Sequence, residues 1–192
     1  MTGQITTPGA LRPVDGGATY SVGHRVFRLL WNVTWAALAS WTPRQLHPWR
    51  RFLLKSFGAR VGAHSDVRGS AKVWHPANLE LGERAVIAEG VNCYNLDKIT
   101  VGARALISQD AILLGGGHNI DSPDFDLITR PITIGQGAWI AAGAVIGPGV
   151  TVHPYAVLGG HAVAFKDLEA ATIYVGNPAR PVRKRTDWWT QA

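Results

Sequence analysis

The segment "IGQGAWIAAGAVIGPGVTVHPYAVLGGHAV", residues 134–163, repeats an aliphatic residue every six positions, and a small residue follows four positions after each one. The aliphatic residues are Ile134, Ile140, Ile146, Val152 and Leu158, and the small ones are Ala138, Ala144, Val150, Ala156 and Ala162. A helix with about 3.6 residues per turn cannot keep such residues on one face, and a long strand would alternate throughout. The period therefore predicts short strands joined by tight corners.

The same period continues upstream with two shifts of register. Its aliphatic positions are Val61, Val67, Val73 and Leu79, then Leu81, Ile87, Cys93 and Ile99, then Val101, Ile107 and Leu113. Three units close a triangular coil of about 18 residues, and successive coils stack about 4.8 Å apart by parallel backbone pairing. The sequence thus predicts an all-β solenoid over residues 58–167 whose two ends need protection.

The segments outside the repeat have different compositions. Residues 1–19 are polar and rich in Gly, Thr and Pro, which predicts a disordered tail. Residues 20–57 predict a helical cap on the first coil, and residues 168–192 a short C-terminal extension over the last. Within the cap, residues 26–41 are apolar but short and interrupted by Arg28 and Asn32, so an amphipathic helix on the protein or on a bilayer surface is expected instead of a membrane span.

The charge of the chain lies at its ends. Of a formal net charge of +6, residues 1–57 contribute seven basic and one acidic residue, whereas residues 58–165 hold seven basic and nine acidic residues. A nucleic-acid-binding domain would carry a basic stripe across its folded body. We therefore expect no nucleic-acid partner.

The chain contains one cysteine, Cys93, which falls in an aliphatic column of the repeat. A single cysteine excludes a disulfide framework and a cysteine-based zinc site. We expect Cys93 to be a small core residue and the compartment to be reducing, hence cytoplasmic.

The segment "LLGGGHNIDSPDF", residues 113–125, interrupts the period and predicts a loop over residues 115–133 that projects from the coil. Gly115, Gly116 and Gly117 would let the backbone approach a ligand closely. The histidine that follows, His118, can exchange a proton near neutral pH. Three carboxylates of the loop could orient its imidazole: Asp121, Asp124 and Asp126.

The stretch "YNLDKITVGARALISQDAILLGGGHNIDSPDFDLITRPITIGQGAWIAAGAVIGPGV", with "TPRQLHPWRRFLLKSFGARVG" before it and "VGNPARPVRKR" after it, resembles hexapeptide-repeat sugar O-acetyltransferases of the colanic acid and exopolysaccharide type, which are related to maltose and galactoside acetyltransferases. The resemblance spans about residues 20–185 and implies a left-handed parallel β-helix. It implies an acetyl-CoA-dependent transfer to a hydroxyl group with His118 as general base, no covalent intermediate and no metal. It also implies a homotrimer with active sites between subunits. Asn119 stands where many relatives carry Asp, which leaves open the residue that supports His118.

The resemblance also suggests binding residues. Tyr94, Asn95 and Trp139 would contact the acceptor, although Asn95 is equally consistent with a corner residue that satisfies backbone groups. Coenzyme A would contact five positions, which are Ala142, Gly160, Lys166, Arg180 and Arg183. Lys184 and Arg185 are as consistent with a solvated tail as with coenzyme A binding.

Three other functions are considered. A zinc carbonic anhydrase on this fold needs two histidines spaced by five, but Pro123 stands at that distance from His118. An acyltransferase for a non-sugar acceptor such as an antibiotic and a non-catalytic trimeric scaffold both remain open. Residues 20–57 could in either case contact the inner face of the membrane peripherally.

Overall fold

The protein is a parallel β-solenoid with two helices at its N-terminal end, as shown by a computed structural model that describes residues 3–4 and 20–186. Each complete coil contributes one strand to each of three parallel sheets, here called the first, second and third faces. This architecture confirms the solenoid and the helical cap predicted from the sequence. The predicted tail, apart from residues 3–4, and residues 187–192 of the predicted C-terminal extension lie outside the described residues.

The three faces consist of short strands. The first face contains β2 (Arg60–Val61), β5 (Leu79–Leu81), β8 (Ile99–Val101), β13 (Ile132–Ile134) and β16 (Thr151–Val152). The second contains β3 (Asp66–Val67), β6 (Val86–Ile87), β9 (Leu106–Ile107), β14 (Trp139–Ile140), β17 (Val157–Leu158) and β19 (Thr172–Val175), followed by the antiparallel β20 (Arg180–Lys184). The third contains β4 (Lys72–Val73), β7 (Asn92–Tyr94), β10 (Ile112–Leu114), β15 (Val145–Ile146) and β18 (Val163–Ala164).

A smaller antiparallel sheet lies outside the coils and consists of β11 (Gly116–His118), β12 (Leu127–Thr129) and β1 (Gly3–Gln4). The helices are α1 (Val22–Leu38) and α2 (His47–Ser56), with short 3-10 turns at Arg44–Leu46 and Pro76–Asn78. No helix within the described residues is long and apolar enough to cross a membrane.

Stacked aliphatic side chains form the core. Because each coil pairs in register with the next, equivalent inward residues lie above one another, as Ile107, Ile140 and Leu158 do on the second face. All three are fully buried, and so are the small residues Ala144, Ala156 and Ala162 that line the corners. The six-residue period of the sequence is thus the spacing between one face of the coil and the next.

The two register shifts in the sequence correspond to longer strands on the first face. Each of the strands β5, β8 and β13 has three residues, and the first and third point inward. The first residues, Leu79, Ile99 and Ile132, pair with one another and form an additional buried column. The coils therefore absorb the two extra residues without losing their pairing.

The corners between the first and second faces have left-handed backbone conformations. The residues concerned are His64, Arg84, Arg104, Gly137 and Tyr155, one for each successive coil, with φ between 55° and 63°. Gly137 is required at its position because a Cβ there would lie 2.6 Å from the ring of Tyr155 one coil further on. The ring of Tyr155 thus occupies the space that the glycine leaves open.

The helices cover the open edge of the first coil. Its backbone N–H groups donate to the second coil, for example from Asp66 to Ala85 O, so carbonyl groups on the opposite edge need other donors. Side chains of the two helices supply them. The donors are Trp31 Nε1 to Val73 O at 2.7 Å, Trp35 Nε1 to Gly69 O at 2.9 Å and Arg50 Nε to Val67 O at 2.6 Å.

Arg50 joins both helices to the coil. Its guanidinium is fully buried and donates to Thr42 Oγ1 at 2.8 Å and to the backbone carbonyls of Pro43 and Arg44. It also forms an ion pair with Asp66 on β3 at 3.3 Å. One side chain therefore fixes the link between α1 and α2 and holds both against the first coil.

Replacing Arg50 with alanine is expected to destabilise the fold by about 3–5 kcal/mol, because it leaves buried carbonyl groups and part of Asp66 without partners. Urea unfolding followed by circular dichroism measures this loss. Lys55→Ala is the matched control, since Lys55 is an exposed cation on the same helix, and it should change stability by less than about 0.5 kcal/mol. Equal stability of the two variants would contradict the proposed role of Arg50 in docking the helices.

Candidate active site

The projecting loop leaves the third coil at the corner between the third and first faces. It runs from residue 115, after β10, to residue 131, before β13, and so is slightly shorter than the predicted 115–133. Most of it is a hairpin in which β11 pairs with β12, with Gly117 opposite Ile128 and His118 opposite Leu127. The hairpin holds His118 away from the coil on regular backbone structure.

The three glycines that precede His118 have different roles. A Cβ at Gly115 would lie 2.7 Å from Tyr94 O, and one at Gly116 would lie 2.8 Å from the side chain of Leu96. Both glycines therefore let the hairpin pack against the second coil. Of the three, only Gly117 would place a Cβ in open space, so the backbone is open on one side at this position alone.

The imidazole of His118 is oriented by a backbone carbonyl. Its Nδ1 lies 2.7 Å from Phe125 O, and a carbonyl oxygen can only accept a hydrogen bond. The proton in this hydrogen bond must therefore be on Nδ1, so that in the neutral form of the ring the lone pair is on Nε2. The side chain is exposed in the single chain, so Nε2 is accessible to a substrate.

The loop residues between the two strands hold Phe125 in place. Phe125 has a left-handed φ of 48°, and its N–H donates to Ser122 O at 3.1 Å. The carboxylate of Asp126 accepts from Ser122 Oγ at 2.8 Å, and Asn119 N–H donates to Asp126 O. None of the three loop carboxylates Asp121, Asp124 and Asp126 is the hydrogen-bond partner of His118 Nδ1. That partner is the carbonyl of Phe125.

Tyr94 and Asn95 lie directly beneath the hairpin. Gly115 N–H donates to Tyr94 O at 2.9 Å, which ties the base of the loop to the second coil. Asn95 is fully buried, and its amide donates to His75 O at 2.7 Å and accepts from His75 N at 3.0 Å. Its side chain thus satisfies a backbone corner, whereas the Tyr94 ring is half-buried and contacts Trp74 edge-on.

A cleft of about 530 Å³ lies between α1 and the first two coils, next to Tyr94. Aromatic side chains form much of its wall, and Asn32, Asn92, Arg28 and Lys72 add polar groups. The aromatic residues are Trp31, Trp35, Trp74 and Tyr94. The guanidinium of Arg28 stacks on the ring of Trp74 at 2.9 Å from its centroid.

Two other histidines belong to an aromatic stack beside this cleft. His24 stacks on His75 with centroids 4.9 Å apart, and Tyr20 stacks on the other side of His24. Burial lowers the pKa of both imidazoles, and the positive charge of Arg28 lowers it further. Both shifts favour the neutral form of the imidazole, and the two rings pack against each other between α1 and the first coil.

Trp139, Ala142 and Gly160 lie together on another part of the solenoid. Trp139 is on the second face with 42% of its surface exposed, and its indole donates to Ser108 Oγ at 2.9 Å. Ala142 and Gly160 occupy the corner between the second and third faces in successive coils. They are adjacent, because a Cβ at Gly160 would lie 3.5 Å from Ala142 O.

Lys166 and Arg180 line a second cavity, of about 320 Å³, between the last complete coil and the C-terminal strands. Its walls also include Phe165, Tyr174 and Pro178. Arg183 lies on β20 opposite Ile173, is exposed, and donates to Lys184 O. The structure therefore brings Lys166 and Arg180 to one cavity and places Arg183 on the adjoining strand.

Five of the predicted site residues fall at two corners of the triangular coil. Tyr94, His118 and Lys166 lie at or beside the corner between the third and first faces, whereas Ala142 and Gly160 lie at the corner between the second and third. A single chain thus presents His118 and the Ala142–Gly160 pair on different edges.

Cys93 is fully buried, and burial raises the pKa of its thiol to about 12, so the thiolate that acts as a nucleophile is not formed near neutral pH. No group of three or more His, Cys, Asp or Glu side chains in the described part of the chain could hold a metal ion.

Sequence reasoning missed two parts of this region. The carbonyl of Phe125 could not be found, because every residue has one and only the folded loop directs it. Trp74 and Arg28 are far apart in the sequence and meet only when α1 docks. The sequence did contain one signal for Trp74. This residue directly follows Val73, which belongs to an inward-facing column, so its own side chain should face outward.

Comparisons with known proteins identify the family of the chain. Residues 131–164 match the family model described as "Bacterial transferase hexapeptide (six repeats)". The chain is 38% identical over 165 residues to the putative colanic acid biosynthesis acetyltransferase WcaF of Escherichia coli strain K12, covering 86% of this chain and 91% of that protein. It is 27% identical to the galactoside O-acetyltransferase of the same strain, covering 72% and 70% of the two chains.

A solved structure has the same fold. The hexapeptide-repeat acetyltransferase of Vibrio cholerae O1 biovar eltor in complex with acetyl coenzyme A superposes with a TM-score of 0.80 and 22% identity, over 88% of this chain and 93% of that one. At this identity the likeness shows the fold alone. Together with the extent of the match to WcaF, the repeat and the solenoid show that the chain belongs to the hexapeptide-repeat acetyltransferase family.

Proposed function

We propose that this protein transfers an acetyl group from acetyl-CoA to a hydroxyl group of a sugar or glycan, with His118 as the general base. The hydrogen bond from His118 Nδ1 to Phe125 O supports this proposal most directly, because it leaves a basic Nε2 on an exposed ring. A hydroxyl group is a weak nucleophile near neutral pH, and a positioned base that removes its proton raises the rate by about 10²–10⁴-fold.

In the proposed reaction His118 acts on the acceptor and the thioester supplies the acetyl group. Nε2 takes the proton of the acceptor hydroxyl as its oxygen forms a bond to the thioester carbonyl carbon. The carbon–sulfur bond then breaks, and the coenzyme A sulfur leaves with the proton that His118 returns. The buried thiol of Cys93 takes no part, which supports direct transfer without an acyl-enzyme.

Acetyl-CoA as the donor is supported by the relatives and by the charges of the last coil. Three relatives are named acetyltransferases, and the solved structure of one contains acetyl coenzyme A. Coenzyme A carries several phosphates, which suit Arg and Lys side chains. Lys166 and Arg180 provide them at one cavity, and Arg183 lies on the adjoining strand.

A sugar acceptor is supported by the cleft between α1 and the first two coils. Its aromatic walls offer flat apolar surfaces, and Asn32 and Asn92 offer donors and acceptors for hydroxyl groups. Tyr94 connects this cleft to the base of the His118 hairpin. The names of the colanic acid and galactoside relatives agree with this class of acceptor.

We further propose a homotrimer in which each active site lies between two chains. The outward residues of the first face are polar, whereas Val86, Leu106, Trp139 and Val157 form a continuous apolar row on the second. An active site that combines His118 of one chain with Ala142 and Gly160 of another joins different surfaces. A contact between different surfaces forms either a closed ring or an open filament, and the proposed assembly is a closed ring of three chains.

Replacing His118 with alanine is expected to lower kcat by about 10²–10⁴-fold while the KM for acetyl-CoA stays within a few-fold. The measurement is release of free coenzyme A in a screen of sugar, glycan and antibiotic acceptors. His153→Ala is the matched control, because His153 is an exposed histidine at another corner, and it should retain full activity. Unchanged kcat for His118→Ala would refute the general-base role, and an inactive wild type on every acceptor would favour a scaffold.

Replacing Lys166, Arg180 or Arg183 with alanine is expected to raise the KM for acetyl-CoA about tenfold each, because a charge-assisted hydrogen bond contributes about 1.5 kcal/mol. The kcat at saturating acetyl-CoA should change little. Steady-state kinetics with varied acetyl-CoA measure both constants. Arg60→Ala, an exposed cation on the first face, is the control that should leave KM unchanged. Equal KM values for all four variants would place the coenzyme elsewhere.

Replacing Leu106 with glutamate is expected to separate the trimer into monomers and to abolish activity, because it buries a charge in the apolar row. Light scattering coupled to size exclusion gives the mass. Thr133→Glu, an exposed strand residue of the polar first face, should remain trimeric and active. A monomeric but active wild type would contradict the trimer.

A further inference from the structure

Helix α1 is apolar on two opposite sides. Its inner side packs Trp31 and Trp35 against the first coil. The other side carries Val22, Val26, Leu29, Leu30 and Val33, which fall on one face because successive helical residues turn by about 100°. We call these five residues the outer stripe, and between 49% and 66% of each is exposed.

Two tryptophans extend the outer stripe at the C-terminal end of α1. Trp41 donates its indole N–H to Ala37 O at 2.7 Å, and Trp49 donates to Leu38 O at 2.8 Å. Their polar groups are satisfied by the helix, yet 70% of Trp41 is exposed. Phe52 stacks on Trp49 and is also exposed. Aromatic rings of this kind are enriched where proteins meet the headgroup region of a bilayer.

All charged side chains of the helical segment are basic. Residues 20–57 contain six Arg and Lys residues and no Asp or Glu. Arg50 is buried, but Arg25, Arg44 and Lys55 are exposed, and no salt bridge within the described residues neutralises them. Exposed cations beside an apolar helix face suit an anionic lipid surface, where each contributes about 1 kcal/mol.

We propose that α1 and α2 bind the surface of an anionic bilayer, with the outer stripe, Trp41 and Trp49 inserted among the headgroups. The hydrogen bonds from Trp31 and Trp35 to the first coil hold α1 flat against the solenoid, so the helix lies in the plane of the surface and does not span it. A second copy of the same face is a poorer partner, because a twofold contact would bring the cations of both copies together. The proposal rests on this surface and is independent of the proposed reaction.

Cosedimentation of the full chain with lipid vesicles tests this proposal. Vesicles with roughly one third phosphatidylglycerol should bind the protein at least about tenfold more tightly than pure phosphatidylcholine, and binding should weaken with salt. The triple variant Leu29→Ser, Leu30→Ser, Val33→Ser should lose at least about tenfold in binding. Arg44→Gln with Lys55→Gln should lose a similar factor on the anionic vesicles only.

Matched controls separate this surface from other effects. Ile120→Ser with Val182→Ser removes exposed apolar residues outside the helices and should bind vesicles like the wild type. Equal sedimentation of the triple variant and the wild type, or no binding of the wild type to either vesicle, would overturn the proposal. A change of mass in light scattering for the triple variant without lipid would instead identify the outer stripe as a contact between copies. The assay needs no acetyl-CoA, so its outcome is separate from that of the proposed function.

Discussion

Parallel backbone pairing between successive coils is the constraint on which the rest of the structure depends. Because each strand pairs with its equivalent one coil further on, every coil must keep the same triangular outline. Side chains then stack in columns, and corners adopt left-handed backbone conformations even at His64, Arg84 and Arg104. Inserted residues that do not fit this outline must project from a corner as a loop. The hairpin that carries His118 is the largest such insertion among the described coils.

The same pairing explains the helical cap. A stack of coils ends in a strand edge with unpaired carbonyl groups, and an unprotected edge of this kind invites pairing with other chains. The side chains of Trp31, Trp35 and Arg50 satisfy that edge in place of another strand. The docked helix then forms one wall of the aromatic cleft, so the element that terminates the fold also shapes the region beside the hairpin.

The sequence was sufficient for most of the fold and for part of the candidate site. Columns such as Ile134, Ile140 and Ile146 follow from spacing, because burial on a repeating coil dictates residue type at every sixth position. The interruption of the period identified the loop of His118. The orientation of the imidazole could not be predicted, because Phe125 acts through its backbone and φ depends on bonds within the loop. The burial of Asn95 against His75 likewise depends on a corner that only the folded coils define.

Cys93 has a practical consequence for spectroscopy. The only sulfhydryl of the chain sits in the core column of the third face, between Val73 and Leu113, with no exposed surface. Its thiol stays protonated, since burial raises its pKa to about 12. Maleimide dyes and nitroxide labels would therefore find no native target in the folded protein. A cysteine introduced at a chosen surface position provides a single attachment point, without prior removal of the natural one.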